Sequence, residues 1–255
     1  MEAVGIIPAR YGSTRLPGKA LAPIAGTPMI VRVWEHVRRA KGLDEVIVAT
    51  DDARIVAAVE RAGGRAVMTS PQCHSGTERA AEIARGLEAK IIVNVQGDEP
   101  LIRPEQVDQL VAYLRQHAAV PMASLMTRLS RIEDLGNPHV VKVVTDRDGF
   151  ALYFSRAPIP YSRQQTADSA QQTGERDAAP GCWKHLGIYG YQREFLLRFP
   201  SLEHTPLERA EQLEQLRALE HGCRIKLLET PHDTIGVDTP EDLARVEALL
   251  KTVNA

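Results

Sequence analysis

Short runs of apolar residues alternate along the chain with stretches in which apolar residues recur every three or four positions. The runs are nearly continuous in Val, Ile and Ala, which is typical of strands buried on both faces. They occupy residues 3–7, 45–50 and 90–95. The periodic stretches predict helices at 28–40, 51–63, 77–87 and 104–116. This alternation predicts an α/β fold: a three-layer, Rossmann-like core with a mostly parallel sheet between helices.

The pattern changes after residue 136. Residues 139–161 predict two antiparallel strands joined at the turn DRDG, and 185–191 predict a third strand. Residues 162–182 are polar, and we expect a mobile segment there. We therefore divide the chain into an α/β core, residues 1–136 and 192–255, and a small β-rich arm, residues 137–191.

The C-terminal part returns to the core pattern. A long helix is predicted over 205–222 and a strand over 223–229. A strand end is then expected before Asp238, followed by a helix that runs to residue 252. In that helix Thr239 and Asp242 have the spacing of a near-capping-box.

Composition limits the classes of function. Hydrophobic residues make up 44% and charged residues 25%, as in ordinary soluble enzymes, and a net charge of −2 gives no general reason to bind nucleic acid or membrane. Cys73, Cys182 and Cys223 have no C-x-x-C spacing, so we expect reduced thiols in a cytoplasmic protein. We expect neither a signal peptide nor a membrane span.

Positive charge is concentrated in one loop directly after the first predicted strand. The segment IIPARYGSTRLPGK, residues 6–19, contains Arg10, Arg15 and Lys19, while no acidic residue occurs over 3–34. In open α/β sheets, ligands bind at the carboxyl ends of the strands. The loop is therefore predicted to bind a polyphosphate such as a nucleoside triphosphate. A solvated basic turn is the alternative.

This loop does not match the Walker pattern of P-loop proteins. Five residues separate Gly12 from Gly18, and Ala20 stands where the magnesium-binding Ser or Thr should follow the lysine. The spacing counts against a P-loop kinase or ATPase.

Two aspartates are predicted to reach the same edge of the sheet. Asp98 lies in VNVQGDEP and Asp238 in IGVDTPED, each after a predicted strand end. Carboxylates there would repel a triphosphate unless a divalent cation lay between them, and Mg²⁺ prefers one or two carboxylates plus phosphate oxygens. Either aspartate could instead form a turn or cap a helix. Taken together they predict a Mg²⁺ site.

A third candidate lies at the start of another predicted helix. Ser75, Gly76 and Arg79 begin that helix, whose main-chain N–H groups suit an anion.

These segments resemble, in order and over nearly the whole chain, the 3-deoxy-manno-octulosonate (Kdo) cytidylyltransferases. The matching segments are IIPARYGSTRLPGK, HSGTER, VNVQGDEP, ALYFSRAPIP, HLGIYGY, PLERAEQLEQLR and GVDTPEDL. The basic loop alone indicates only the wider sugar nucleotidyltransferases, whereas YFSRAPIP and HLGIYGY favour the Kdo enzymes. Residues 162–182 do not align with the family.

The resemblance implies a role for each matching residue. CTP would be bound by Ala9, Arg10, Arg15, Lys19, Ser75, Gly76 and Arg79. Kdo would be bound by Gln96, Arg156, His185, Glu211 and Gln215. Mg²⁺ would be held by Asp98 and Asp238, and the catalytic residues would be Lys19, Arg10 and Asp98. Glu211 and Gln215, four apart on the predicted long helix, would share one face.

The implied reaction converts CTP and Kdo into CMP-Kdo and pyrophosphate for lipopolysaccharide biosynthesis. The resemblance also implies a cytoplasmic homodimer, with the arm binding sugar and forming the dimer. Synthesis of CMP-acylneuraminate and activation of an amino-substituted Kdo are the close alternatives. A kinase or ATPase and a non-catalytic nucleotide-binding regulator are the distant ones.

Overall fold

The computed structural model describes residues 1–13, 15–129, 131–161 and 181–253. The chain forms two compact units that are each discontinuous in sequence. The first consists of Met1–Ala119, Ile188–Ser201 and Thr234–Ala255, and the second of Val120–Gly187 and Leu202–Asp233.

The second unit includes residues 120–136 and 202–233, which the sequence pattern assigns to the core. The expected mobile segment falls, except for its last two residues, outside the described residues. The sugar-binding and dimerisation roles of residues 137–191 stay predictions.

The described residues contain eleven strands and nine α-helices. The strands are β1 (Ala3–Ala9), β2 (Pro23–Ile24), β3 (Thr27–Pro28), β4 (Glu45–Thr50), β5 (Arg65–Met68), β6 (Ile91–Asn94), β7 (Met122–Arg128), β8 (Lys142–Thr145), β9 (Ala151–Ser155), β10 (Trp183–Gln192) and β11 (Ile225–Glu229). The helices are α1 (Met29–Val37), α2 (Ala53–Arg61), α3 (Gly76–Arg85), α4 (Pro104–Gln116), α5 (Ile132–Gly136), α6 (Arg193–Arg198), α7 (Pro206–Glu211), α8 (Gln215–Glu220) and α9 (Pro240–Val253).

The first unit is built on a mostly parallel sheet. Strands β6, β1, β4 and β5 are parallel in that order, and the last residues of β10 pair antiparallel with β6. Every residue of β1 is buried, as the apolar run predicts. Helices α1 to α4 pack on these strands. The parallel order brings the carboxyl ends of β1, β4 and β6 to one edge of the sheet.

Short polar side chains fix the starts of the helices. The Asp52 carboxylate accepts the Arg54 amide at the start of α2, and Ser75 Oγ accepts the Glu78 amide at the start of α3. Thr239 Oγ1 likewise accepts the Asp242 amide at the start of α9, so the predicted near-capping-box is present. These caps begin the helices close to where the sequence predicts them.

The strand end expected before Asp238 is wrong. Residues 231–238 belong to no strand. The Val237 amide donates instead to the Asp98 carbonyl at 2.9 Å. A main-chain hydrogen bond thus joins this segment to the loop after β6.

The second unit contains the predicted hairpin. Strands β8 and β9 pair antiparallel, and β8 also pairs with the first residues of β10. Asp146 closes the predicted turn, because its Oδ1 accepts the amides of Asp148 and Phe150. Strand β7, which the sequence pattern did not predict, pairs parallel with β11.

The predicted long helix over 205–222 is wrong, because the segment forms two short helices, α7 and α8. Gln212 follows α7 with a φ of 53°, in the left-handed region, and so ends the helix. Arg217 of α8 then forms a buried ion pair with Glu208 of α7 through Nε at 2.9 Å and Nη2 at 2.5 Å. Glu211 and Gln215 consequently lie on different helices and do not share a helical face.

Candidate active site

The loop after β1 is shaped by a glycine that no other residue replaces without strain. Gly18 has a φ of +67°, and a Cβ there would lie 3.1 Å from the Tyr11 hydroxyl. The next residue, Lys19, begins a 3₁₀ turn, and its amide donates to the Leu16 carbonyl at 3.0 Å. The loop therefore sets the position of Lys19 through its main chain.

The ammonium of Lys19 joins the two predicted metal ligands. Lys19 Nζ lies 2.5 Å from Asp98 Oδ2 and 2.9 Å from Asp238 Oδ1. Arg15 Nη2 lies 3.0 Å from the same Asp238 oxygen. Residues separated by up to 219 positions in the chain thus meet at one ammonium group, as the sequence analysis expects of the basic loop and the two aspartates.

Close packing of main chain holds Asp98 in place. A Cβ on Gly97 would lie 2.8 Å from the Pro8 carbonyl oxygen, so the loops after β1 and β6 approach each other as closely as glycine allows. On the other side of the site, the Asp242 carboxylate accepts the amides of Asp238 and Thr239, each at 3.0 Å. Both aspartates are therefore held by their own segments as well as by Lys19.

The ion pairs determine the charge states. Burial acts to lower the pKa of Lys19, but the charge and hydrogen bonds of Asp98 and Asp238 outweigh it and raise that pKa. Burial acts to raise the pKa of Asp238, but Lys19 and Arg15 outweigh it and lower that pKa. Lys19 therefore stays protonated and Asp238 ionised at neutral pH.

The first turn of α3 forms another wall of the site. Arg79 is 4% exposed and donates to Thr69 Oγ1 and, at 2.8 Å, to Asp51 Oδ2. Asp51, at the end of β4, therefore orients Arg79, a contact that the sequence analysis missed. The doublet Asp51-Asp52 carried the signal, because capping α2 needs only Asp52.

Ten of the predicted site residues line one cavity of about 400 Å³. They are Ala9, Arg10, Arg15, Lys19, Ser75, Gly76, Arg79, Gln96, Asp98 and Asp238. We call this cavity the basic pocket. Its size lies within the range of small-molecule sites.

Cys73 also lines the basic pocket, but its chemistry argues against a nucleophilic role. Burial, together with a hydrogen bond to Glu82, raises the pKa of the Cys73 thiol to about 11. The thiol is therefore protonated at neutral pH. Its Sγ donates to Glu82 Oε2 at 3.1 Å, and the same carboxylate accepts the Ser70 amide.

The other four predicted site residues lie in the second unit. Glu211 accepts hydrogen bonds from Ser155 Oγ at 2.6 Å, from the Arg156 amide at 2.8 Å and from the Tyr153 hydroxyl at 3.4 Å. Burial acts to raise the pKa of Glu211, but these hydrogen bonds outweigh it and lower that pKa. Glu211 is therefore an ionised acceptor within a polar network.

The guanidinium of Arg156 is largely bound to main chain. Nε donates to the Glu211 carbonyl at 2.8 Å, Nη1 to the Pro138 carbonyl at 2.9 Å, and Nη2 to the Gln212 carbonyl at 3.3 Å. A guanidinium carries five N–H groups. These bonds account for three, and two others could bind a ligand.

His185 and Gln215 are buried in the second unit. The His185 ring lies 2.9 Å from Ser124 Oγ and packs edge-on to Phe154, with ring centroids 4.9 Å apart. Burial lowers the pKa of His185 to about 3, so the ring is neutral at physiological pH. Gln215 is 5% exposed. The sugar contacts expected of both residues stay predictions.

Comparisons with known proteins agree with this architecture. The Cytidylyltransferase family profile matches residues 4–226. The 3-deoxy-manno-octulosonate cytidylyltransferase of Geobacter sulfurreducens is 52% identical over 254 residues, covering 98% of this chain and 100% of the relative. The protein of that name from Geotalea uraniireducens is 52% identical over 252 residues, covering 98% of this chain and 100% of the relative.

Solved structures give the same result. A structure of CMP:2-keto-3-deoxy-manno-octonic acid synthetase complexed with CTP is 44% identical, with a TM-score of 0.89 over 99% of each chain. A 4-diphosphocytidyl-2C-methyl-D-erythritol synthase from Anaerococcus prevotii, 14% identical with a TM-score of 0.63 over 98% of each chain, shares the fold alone.

Fold and basic pocket together define a nucleotidyltransferase of the α/β class. Within that class, the chain belongs to the 3-deoxy-manno-octulosonate cytidylyltransferase family. The predicted family, fold class and enzyme class are thereby confirmed. These matches do not favour the alternatives of a kinase, an ATPase or a non-catalytic regulator.

In the part of the chain that the structure describes, no helix has both the length and the apolar character to cross a membrane.

Proposed function

We propose that this protein transfers the cytidylyl group of CTP to Kdo, giving CMP-Kdo and pyrophosphate. The reaction would serve lipopolysaccharide biosynthesis in the cytoplasm. The observation that carries the proposal is the pair of carboxylates, Asp98 and Asp238, brought together on the ammonium of Lys19 inside the basic pocket. The names of relatives about half identical over nearly the whole chain support Kdo as the acceptor.

The chemistry is an in-line displacement at the α-phosphorus of CTP. The anomeric 2-hydroxyl oxygen of Kdo forms the new bond to phosphorus and loses its proton, and the bond to pyrophosphate breaks on the opposite side. Such transfers need positioning and charge neutralisation more than covalent help from the protein. Arg10, Arg15 and Lys19 supply positive charge to the triphosphate. The N–H groups at the start of α3 supply further donors beside the pocket.

The two carboxylates fit a divalent ion. They lie within 2.5 and 2.9 Å of one ammonium group, so they are close enough to share one cation. Mg²⁺ uses one or two carboxylates and completes its coordination with phosphate oxygens and water. When bound, the ion would neutralise phosphate charge and lower the pKa of the attacking hydroxyl. Asp98 and Asp238 would hold the ion, and Lys19 would then be available to a phosphate oxygen of the triphosphate.

The second unit supplies the groups proposed to bind the sugar acid. Arg156 has two N–H groups beyond those that its main-chain contacts use, enough to take the sugar's carboxylate. Glu211 is an ionised acceptor for hydroxyl groups.

The proposed homodimer is supported by two large apolar residues, Leu152 at 62% and Tyr161 at 80% exposure. Light scattering at micromolar concentration tests the dimer, and a monomer would contradict it.

A pyrophosphate-release assay tests the proposed function. Purified protein is supplied with CTP and Mg²⁺ and, in separate reactions, with Kdo, an amino-substituted Kdo, N-acetylneuraminate or no acceptor. We expect pyrophosphate release with Kdo and little with the others. Faster release with either rival sugar would reassign the acceptor, and release of orthophosphate would contradict nucleotidyl transfer.

The nucleotide preference needs its own control. ATP, GTP and UTP replace CTP in otherwise identical reactions with Kdo, and we expect CTP to be preferred. A Lys90→Ala variant serves as a matched control for substitutions of Lys19, because the Lys90 side chain is exposed and pairs only peripherally with Glu2.

A further inference from the structure

Lys142 is a buried lysine whose ammonium donates to three main-chain carbonyls. The residue is fully buried, and its ammonium donates to the carbonyls of Asn137 at 2.9 Å, Val140 at 2.6 Å and Arg156 at 2.6 Å. An ammonium carries three N–H groups and no acceptor. Its hydrogen-bonding capacity is therefore used in full by three carbonyl oxygens.

The three carbonyls come from two segments at the open end of the β8–β9 hairpin, where Lys142 pairs with Ser155. Asn137 and Val140 lie in the segment before β8, whereas Arg156 directly follows β9. Arg156 binds the first segment as well, through Nη1 and the Pro138 carbonyl. Two cations thus hold residues 137–140 against the end of β9.

The main chain of Arg156 is fixed at both ends. Its amide donates to Glu211 Oε2 at 2.8 Å, and its carbonyl accepts from Lys142 Nζ at 2.6 Å. A charged side chain thus holds the main chain of this half-buried residue on each side. We call these residues, Lys142, Ser155, Arg156 and Glu211, the Arg156 cluster.

A buried charge is costly unless it is hydrogen-bonded or paired. Burial lowers the pKa of Lys142, although the charge of Glu211 opposes that shift. An apolar residue of similar length would fill the same volume without a charge to desolvate, but it would leave three carbonyls without their donor. The role of Lys142 is therefore to fix the position of the main chain and not to fill volume in the core.

We infer that Lys142 is a positioning residue for the sugar acid: it holds the main chain from which the Arg156 side chain extends. This rests on the proposed function, in which Arg156 binds the carboxylate of Kdo. Lys142 itself contacts no substrate in this scheme. Its loss should therefore weaken sugar binding while leaving the CTP site in the first unit unchanged.

The test compares Lys142→Met and Lys142→Gln with wild type by steady-state kinetics and by calorimetric titration of CTP. For Lys142→Met we expect the KM for Kdo to rise about tenfold, which corresponds to ~1.4 kcal/mol, with CTP affinity within about twofold of wild type. Lys142→Gln keeps two N–H donors without the charge, so we expect an intermediate KM. Lys184→Met is the matched control, because Lys184 pairs with Lys142 in the β8–β10 register but binds Asp233.

Each outcome decides the matter. A KM for Kdo near wild type in Lys142→Met, or an equal loss of CTP affinity, would overturn the positioning role. Failure of both Lys142 variants to fold would overturn it too, since the lysine would then serve the fold as a whole. If wild type and Lys184→Met release no pyrophosphate with Kdo, the proposed function fails, which is a separate result.

Discussion

The basic pocket and the Arg156 cluster both contain buried or half-buried cations, but the hydrogen-bond partners of these cations differ. In the basic pocket, Lys19 is held by the side chains of Asp98 and Asp238. In the Arg156 cluster, Lys142 is held by three main-chain carbonyls. Carboxylates can exchange one cation for another, whereas a carbonyl bound within folded main chain cannot leave its position.

This difference distinguishes contacts that ligand binding can rearrange from contacts that are fixed before a ligand binds. On the proposed function, Lys19 would exchange its carboxylate contacts for a phosphate oxygen when the triphosphate and a metal ion bind, so the basic pocket would change its internal pairing without a change of fold. The contacts of Lys142 fix a segment of chain before any ligand arrives. Substitutions in the basic pocket should therefore affect turnover, and substitutions around the Arg156 cluster should affect sugar binding or stability.

The largest effect is expected from Lys19→Ala. Loss of one preorganised electrostatic donor typically costs about 10²–10³ in kcat, or ~2.7–4 kcal/mol. Steady-state kinetics with CTP and Kdo measures it, with Lys90→Ala as the control. A change in KM alone, at full turnover, would contradict a role in the transition state.

Asp98→Asn tests whether the carboxylate binds the metal ion. Residues that merely orient metal ligands change metal affinity by about 10–100-fold, so a ligand should cost at least as much. We expect the Mg²⁺ concentration for half-maximal rate to rise by at least about tenfold. Asp233→Asn, which removes a carboxylate paired with Lys184, is the control. Turnover near wild type at unchanged Mg²⁺ would rule the metal role out.

His185 gives the second unit a pH-dependent stability. The folded state keeps this ring neutral down to about pH 3, whereas the unfolded chain takes up a proton near pH ~6.5. The unfolded state therefore binds more protons as the pH falls, and stability decreases. Between pH 7 and 5 this contribution amounts to about 2 kcal/mol.

Urea unfolding at both pH values measures the contribution of His185. We expect His185→Gln to remove that part of the pH dependence, and His117→Gln, at an exposed position, to leave it unchanged. An identical pH dependence in wild type and His185→Gln would show that the ring is accessible to protons in the folded state.

The smallest effect is expected at the break between α7 and α8. Gln212 has a φ of 53°, a conformation that β-branched residues rarely adopt. We expect Gln212→Val to lower the free energy of unfolding by about 1 kcal/mol more than Gln212→Gly. Both variants lose the bond from Gln212 Nε2 to the Arg209 carbonyl, so their difference isolates the backbone. Equal stabilities would indicate that the two helices can join.

Sequence patterns predicted the first unit well because local rules dominate there. The run at 45–50 became β4, and the stretch at 104–116 became α4 with the same bounds. The sequence also predicts the meeting of Asp98 and Asp238 with Lys19, but Asp238 reaches the site through the bond of the Val237 amide to the Asp98 carbonyl and not at the end of a strand. Strand β7, with the sequence MASLMTR, escaped prediction because it lacks clear alternation and has one β-branched residue, Thr127.

The second unit shows where local rules stop. The periodicity of residues 205–222 does not predict the helix break at Gln212, since Gln is an ordinary helix former. The break is supported by a tertiary contact, the buried pair of Glu208 with Arg217. Lys142 was missed for a similar reason, because a lysine in a strand gives no sign of burial until its carbonyl partners are known.

Gly97 shows how little freedom the chain has beside its reacting groups. Any side chain there would meet the Pro8 carbonyl oxygen, which is main chain and cannot turn aside. Randomising this codon and screening the variants for pyrophosphate release with CTP and Kdo should return glycine, although a hydrogen atom is all that the residue presents. A position without a functional side chain would then tolerate fewer amino acids than many positions that carry one.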